Sequence, residues 1–274
     1  MTISLIYAYW PNQPFGVTWC DLPWAVRSAG LATALTDAGH KVLETYLRSE
    51  DPGETELAGG FALSRDIAFE VRKAVSEGEL PIILCGSCTI AAVGAIAGLA
   101  EHTPGIAWFD AHPDLHTAQT TTSGLFEGMA LATATGHAWA AMTQQTCGLR
   151  PAELAHTALY GARDIDEAER ALIEAEGVPI AREVGALNDR LAGTSATYAH
   201  LDMDVHDGLR LRTNAFAVDK GPKEIDVHDA LVALDRLAVL AVTGLDPQAP
   251  DAEKGALVAI QHLLAVAETW KPLT

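Results

Sequence analysis

The chain has 274 residues, of which 49 % are hydrophobic and 20 % charged, so a sizeable buried core is expected and disorder is not. Acidic residues outnumber basic ones 36 to 18, a formal net charge of −18. That sign argues against nucleic acid or an anionic membrane as partner, and bound multivalent cations would offset part of it.

The opening stretch, MTISLIYAYW, is apolar but short and lacks a basic segment, so it reads as a first strand and not a signal peptide. No later apolar run approaches the roughly 18 residues needed to span a bilayer. Strands are predicted at 3–8, 41–46, 80–84, 105–109, 157–160, 197–203 and 237–242. Several, such as IILC, IAWF and LAVLAV, are apolar on both faces, as parallel strands covered on both sides must be. Helical patterns fall between them at 24–38, 61–77, 90–100, 166–176, 224–235 and 251–268. The stretch KEIDVHDALVALDRL at 223–237 carries Ile225, Leu231, Leu234 and Leu237 close to helical spacing. This alternation predicts βαβ units and an α/β fold: a three-layer α/β/α sandwich on a mainly parallel, doubly wound sheet. Residues 1–274 show no linker, repeat or low-complexity tract and read as one domain. The polar segment 119–128, QTTTSGLFEG, is a loop just after the fourth strand, where ligand sites of α/β proteins lie.

The sharpest chemical signal is WFDAHPDLHT at 108–117. Asp110, His112 and Asp114 fall at i, i+2 and i+4, which places them on one face of an extended chain. Carboxylate, imidazole and carboxylate form a donor set suited to Mn²⁺, Zn²⁺ or Fe²⁺. The bland alternative is a polar strand end whose aspartates cap the next element. A second cluster, HLDMDVHDG at 200–208, puts Asp202 and Asp204 two apart at the end of an apolar run. Two carboxylates on one strand face repel unless a cation or proton separates them; the alternative is a solvated acidic turn, and Asp207-Gly208 reads as one. Two such clusters at strand termini of one βαβ chain can meet at the same sheet edge.

The third signal is LCGSCT at 84–89, a strand–turn–helix junction. Cys88 there is a metal-ligand or nucleophile candidate, against a plain buried residue. Cys85 belongs to the core, and Cys20 and Cys147 read as structural. Four scattered cysteines make no disulfide framework, so a reducing cytoplasm is the expected compartment. His40, His102, His137, His156, His228 and His262 read as surface or helix-end residues.

Taken together, CGSC at 85–88, DAHPD at 110–114 and HLDMDVHD at 200–207 resemble the ureohydrolase family of arginases, agmatinases and formiminoglutamases. That family carries a Gly-Gly-Asp-His turn, an Asp-Ala-His-x-Asp segment and a Ser-x-Asp-x-Asp-x-x-Asp segment in this order. DAHPDLHTAQTTTSG and YGARDIDEAE extend the likeness over most of the chain. The resemblance implies two Mn²⁺ ions at strand C-terminal ends, sharing an activated water that attacks a guanidinium-type carbon. By position, one ion would be held by Cys88, Asp110, Asp114 and Asp202, and the other by Asp110, His112, Asp202 and Asp204. His116, Thr121 and Ser123 would bind a substrate α-carboxylate. Asp166, supported by Glu169, would bind its α-amino group. A small-molecule arginine derivative is the expected partner, and a homo-oligomer is left open.

Three positions depart from the family pattern. Cys88 stands where the family has a ligating His. Glu127 stands where arginases have a catalytic-loop His; with Asp114 it is the candidate catalytic acid, as a proton shuttle or as a seat for a cationic part of the substrate. Gly244, or Thr243 at one residue's shift, stands where arginases place the Glu that pairs with the guanidinium. A site without that anion favours the less basic N-hydroxyguanidine. Cys88 also resembles the branch of the family that releases hydroxyurea and L-ornithine from Nω-hydroxy-L-arginine in D-cycloserine biosynthesis. The competing expectations are arginase, agmatinase or formimidoylglutamase activity, a metal-free hydrolase with Cys88 as nucleophile and His112 as base, and a non-catalytic relative.

Overall fold

The computed structural model describes residues 1–10, 19–49 and 55–273. Among them run eight strands: β1 Thr2–Tyr9, β2 Lys41–Arg48, β3 Leu80–Cys85, β4 Pro104–Phe109, β5 Thr157–Tyr160, β6 Ile180–Ala181, β7 Ala196–Asp202 and β8 Leu237–Thr243. All pair in parallel, in the order β2-β1-β3-β8-β7-β4-β5-β6. Alternate side chains feed two cores, as a strand's two-residue period requires: Ile3, Leu5 and Tyr7 enter one, Ile6 and Ala8 the other. Helices α1 Leu22–Ser28, α2 Leu31–Asp37, α8 Val184–Leu191, α9 Glu224–Val232 and α10 Ala252–Thr269 cover the first face. Helices α3 Glu56–Ser76, α4 Cys88–Gly98, α5 Ala130–Ala134, α6 Ala140–Cys147 and α7 Glu167–Glu176 cover the second. The predicted α/β/α sandwich is therefore observed. Among the described residues, no helix is long and apolar enough to cross a membrane.

The sheet register positions the site. Phe109 pairs with Leu201, so Asp110 and Asp202 leave neighbouring strands side by side. Asp202 pairs in turn with Thr243 of β8, and Leu84 of β3 pairs with Val242. Neighbouring strands lie about 4.8 Å apart. Four adjacent central strands thus deliver Cys88, Gly244, Asp202 and Asp110 to one edge.

The elements differ from expectation in a few places. The predicted helix 24–38 is two helices, because Gly30 takes φ +97° and breaks the ladder between α1 and α2. The two-residue strand β6, pairing only with Leu159 and Tyr160, is too short to show a period. Helices α5, α6 and α8 were not predicted; each has eight residues or fewer. His262 corrects the surface reading. It is 2 % exposed on α10, stacks on His206, and its Nε2 lies 3.1 Å from His206 Nε2. Its position on the inner stripe of α10, between Ala259 and Leu263, carries it inside.

Candidate active site

The two acidic clusters meet. At each strand end one carboxylate folds its own loop: Asp110 Oδ1 accepts from His112 N at 2.7 Å, and Asp202 Oδ1 accepts from Asp204 N at 2.9 Å. The clusters then interlock. Asp204 Oδ1 accepts from Ala111 N at 3.2 Å, and His112 Nδ1 lies 3.2 Å from Asp110 Oδ1 and 3.5 Å from Asp204 Oδ2. Asp110, His112 and Asp204 therefore present ligand atoms within 4.8 Å of one another. A second set with the same spacing joins Cys88, Asp110, His200 and Asp202. Asp114 lines the same cavity without entering either set; its φ of +51° is a left-handed strain of the kind that concentrates at functional sites.

Cys88 is the first residue of α4 and its Sγ lies 3.3 Å from Asp202 Oδ2. The N-terminus of α4 is satisfied twice: Ser87 Oγ accepts from Ile90 N, and Glu127 Oε2 accepts from Ser87 Oγ at 2.9 Å and from Thr89 N at 3.2 Å. Glu127 thus anchors the helix that carries Cys88 while lining the cavity.

Burial decides the electrostatics. Asp110, Asp114, Asp202 and Asp204 are all at most 7 % exposed, and among the described residues no Lys or Arg forms an ion pair with them. Burial, and then the Asp204 charge, push Asp110 up to about 7. Burial and neighbouring carboxylates hold Asp114 and Asp202 well above the usual carboxylate range. Burial alone would lower His112. The hydrogen bond that His112 donates to the Asp110 carboxylate and the charges of Asp204 and Asp110 outweigh it, and His112 rises to about 11. Burial and the surrounding carboxylates likewise raise the Cys88 thiol. A buried donor set this acidic takes up cations or protons. Its oxygen, nitrogen and sulfur donors, at two overlapping 4.8 Å spacings, fit a pair of divalent metal ions.

A cavity of about 290 Å³ opens over these residues. On one wall, Asp166 caps α7: its Oδ1 accepts from Ala168 N and Glu169 N, Glu169 Oε2 accepts from Asp166 N, and Glu169 Oε1 accepts from Leu115 N. The other oxygen, Oδ2, lies 2.8 Å from His116 Nε2. Ser123 lines the cavity. Thr121 does not; its Oγ1 accepts from Gly124 N at 3.0 Å and shapes the loop instead. Gly244 also lines the cavity at φ +67°, and a Cβ there would fall inside the Asp202 carboxylate. Thr243 is fully buried behind it and bonds Asp202 Oδ2 at 3.1 Å.

Sequence reasoning missed several contributors. Asn214 Nδ2 donates to Asp204 Oδ2 at 3.1 Å and to Gly244 O at 2.9 Å, and Trp19 and Phe216 line the mouth with ring centroids 5.7 Å apart. Asn214 and Phe216 come from irregular chain where no period exists, and Trp19 opens a three-residue 3₁₀ helix too short to show one. His200 had a signal: it precedes Asp202 by two along a strand and shares its face. Arg163 was also unread. Its guanidinium donates to the carbonyl oxygens of Gly161, Asp204, Val205, His206, Val218 and Asp219. Arg163→Met strands these acceptors and is expected to lower unfolding free energy by on the order of 3 kcal/mol. Thermal denaturation checks this; an unchanged Tm would remove Arg163 from the scaffold.

Residues 23–266 match the Arginase family, and the chain belongs to that family. It is 32 % identical to the arginase of Bacillus caldovelox over 170 residues, 58 % of this chain and 56 % of that one. That alignment therefore spans little more than half of the relative's length. Identity to the arginase of Bacillus subtilis is 30 % over 209 residues, 72 % of this chain and 69 % of that one. The crystal structure of the Bacillus subtilis arginase shares the fold, with a TM-score of 0.86 at 24 % identity, covering 97 % of this chain and 98 % of that one.

Proposed function

We propose that this chain is a hydrolase of linear amidines that holds two divalent ions, Mn²⁺ by family resemblance, and cleaves Nω-hydroxy-L-arginine to hydroxyurea and L-ornithine, as in D-cycloserine biosynthesis. The observation that carries the substrate assignment is the wall at Gly244. Its Cα is packed so closely on the Asp202 carboxylate that no side chain fits, and Thr243 faces away into the protein. Position 244 itself supplies no anion to meet a charged guanidinium. An N-hydroxyguanidine is less basic and needs no such partner, and Trp19 and Phe216 offer it an apolar, planar flank.

In this reading Cys88, Asp110, His112, Asp114, Asp202 and Asp204 hold the ions, which supply a nucleophile at neutral pH and Lewis acidity. Asn214 and the Ala111 amide fix the Asp204 carboxylate from two sides. Asp166 binds the substrate ammonium, with its second oxygen committed to capping α7, while His116 and Ser123 bind the carboxylate. That pairing keeps the amino-acid end, which favours an arginine derivative over agmatine. Asp114 and Glu127 are the carboxyls that move protons to the leaving amine. The alternative cysteine nucleophile is disfavoured, because burial and then the carboxylates around Cys88 oppose thiolate formation and the imidazole grouped with it is His200 and not His112.

Hydrolysis of hydroxyarginine, arginine, agmatine and formiminoglutamate by manganese-loaded protein, run side by side, tests the assignment. A kcat/KM for hydroxyarginine at least about 100-fold above arginine is expected, roughly 2.7 kcal/mol of discrimination. Equal or better turnover of arginine overturns it.

A further inference from the structure

His200 is fully buried, and its ring lies flat on Trp108 with centroids 3.6 Å apart and planes 3° apart. Nδ1 is 2.8 Å from Tyr198 Oη and Nε2 is 3.1 Å from Thr243 Oγ1. Both partners are hydroxyls, which donate or accept by rotation, so neither fixes the tautomer. A carbonyl partner would have fixed it. The ring also contributes to the set in which Cys88 Sγ and oxygens of Asp110 and Asp202 all lie within 4.8 Å.

We propose that His200 is itself a metal ligand, so that one ion is held by Cys88, Asp110, His200 and Asp202. The inference rests on the binuclear reading above and deepens it. A ligating imidazole donates its other N–H to a neighbour that orients the ring. Tyr198 Oη stands ready to accept from Nδ1, and Trp108 holds the plane. Thr243 then turns its hydroxyl wholly to Asp202 Oδ2, 3.1 Å away. The thiol proton of Cys88 leaves to solvent on binding, as ligation by thiolate requires. Sulfur and imidazole beside two carboxylates make this position favour Zn²⁺, Co²⁺ or Fe²⁺ over Mn²⁺. The set of Asp110, His112 and Asp204 keeps the oxygen-rich character that suits Mn²⁺. The two positions of one centre then differ in metal preference.

Cobalt is the probe. Full-length, chelator-treated protein titrated with Co²⁺ is expected to show thiolate-to-cobalt absorption. It should also show one strongly shifted, slowly exchanging imidazole N–H proton in the NMR spectrum, from His200 Nδ1. H200Q should remove that proton and weaken Co²⁺ binding more than about 100-fold. Tyr198→Phe, which touches only the orienting partner, should cost about 10-fold, at the low end of the 10–100-fold typical of such partners. Two bound cobalt ions with no such proton in the wild-type protein, or H200Q binding cobalt as tightly as wild type, overturn the His200 assignment alone. Wild-type protein that takes up neither Co²⁺ nor Mn²⁺ overturns it together with the metalloenzyme reading. The wild-type spectrum decides the matter even if the variant fails to fold.

Discussion

Gly244→Glu will not create an arginase; it will abolish metal binding and turnover. The substitution puts a carboxylate where the family's guanidinium-pairing acid belongs, so by sequence logic alone it should restore arginine hydrolysis. The backbone forbids it. Gly244 sits at φ +67°, which costs a non-glycine residue about 1–2 kcal/mol. The added Cβ would also occupy the space of the Asp202 carboxylate. Asp202 is a ligand in the Cys88 set, its Oδ1 accepts from the Asp204 amide of the other set, and it is held from behind by Thr243 and Cys88. Moving it breaks both positions together. Even Gly244→Ala is expected to lower divalent-ion affinity by about 100-fold or more, the scale on which metal sites respond to perturbed surroundings. Calorimetric titration with Mn²⁺ checks this. An alanine variant with wild-type affinity would show that Asp202 has room to move, and the argument from Gly244 to substrate choice would fall with it.

The second large effect is on stability against pH, with opposite signs for chelated and metal-loaded protein. In the chelated chain Asp110 titrates at about 7 against an ordinary 3.8, so between those values the folded state holds a proton that the unfolded state has lost. Its contribution is lost as pH rises from about 4 to 7. The gap of about three pH units corresponds to on the order of 4 kcal/mol. His112, raised from 6.5 to about 11, adds stability that is complete below 6.5 and drains away as pH climbs to 11. Both slopes point down with rising pH. Metal ions reverse them, because they bind the deprotonated donors and gain affinity as protons leave. Scanning calorimetry from pH 5 to 8 should show the chelated Tm falling by on the order of 10 °C, while the Mn²⁺-loaded Tm holds or rises. Parallel curves would mean that the carboxylates are not the ions' ligands.

The frame of the site was legible in the sequence because it depends on local rules. Strand ends at Phe109 and Asp202 follow from apolar runs, and Asp110, His112, Asp202 and Asp204 fall at or just past those ends, where bends and a 3₁₀ turn rather than the two-residue period bring them together. Asp166 and Glu169 announce a helix start, and the structure returns them as a capping box on α7. What stayed hidden depends on pairing order and on loops. Nothing local says that β8 inserts between β3 and β7. Yet that insertion sets Thr243 and Gly244 against Asp202. Asn214 and Phe216 reach the cavity from irregular chain and Trp19 from a single 3₁₀ turn, and Arg163 stitches carbonyls whose positions only the fold creates. His200 was readable by spacing. Its engagement with Tyr198, Trp108 and Thr243 was not.

The central claim is that both acidic clusters grip one pair of ions. Anomalous diffraction at the manganese edge from crystals grown with Mn²⁺ tests it directly. The account predicts two peaks about 3.5–4 Å apart, one beside Cys88, Asp110 and Asp202 and the other beside Asp110, His112 and Asp204. A map with no peak between Asp110 and Asp202 would contradict it.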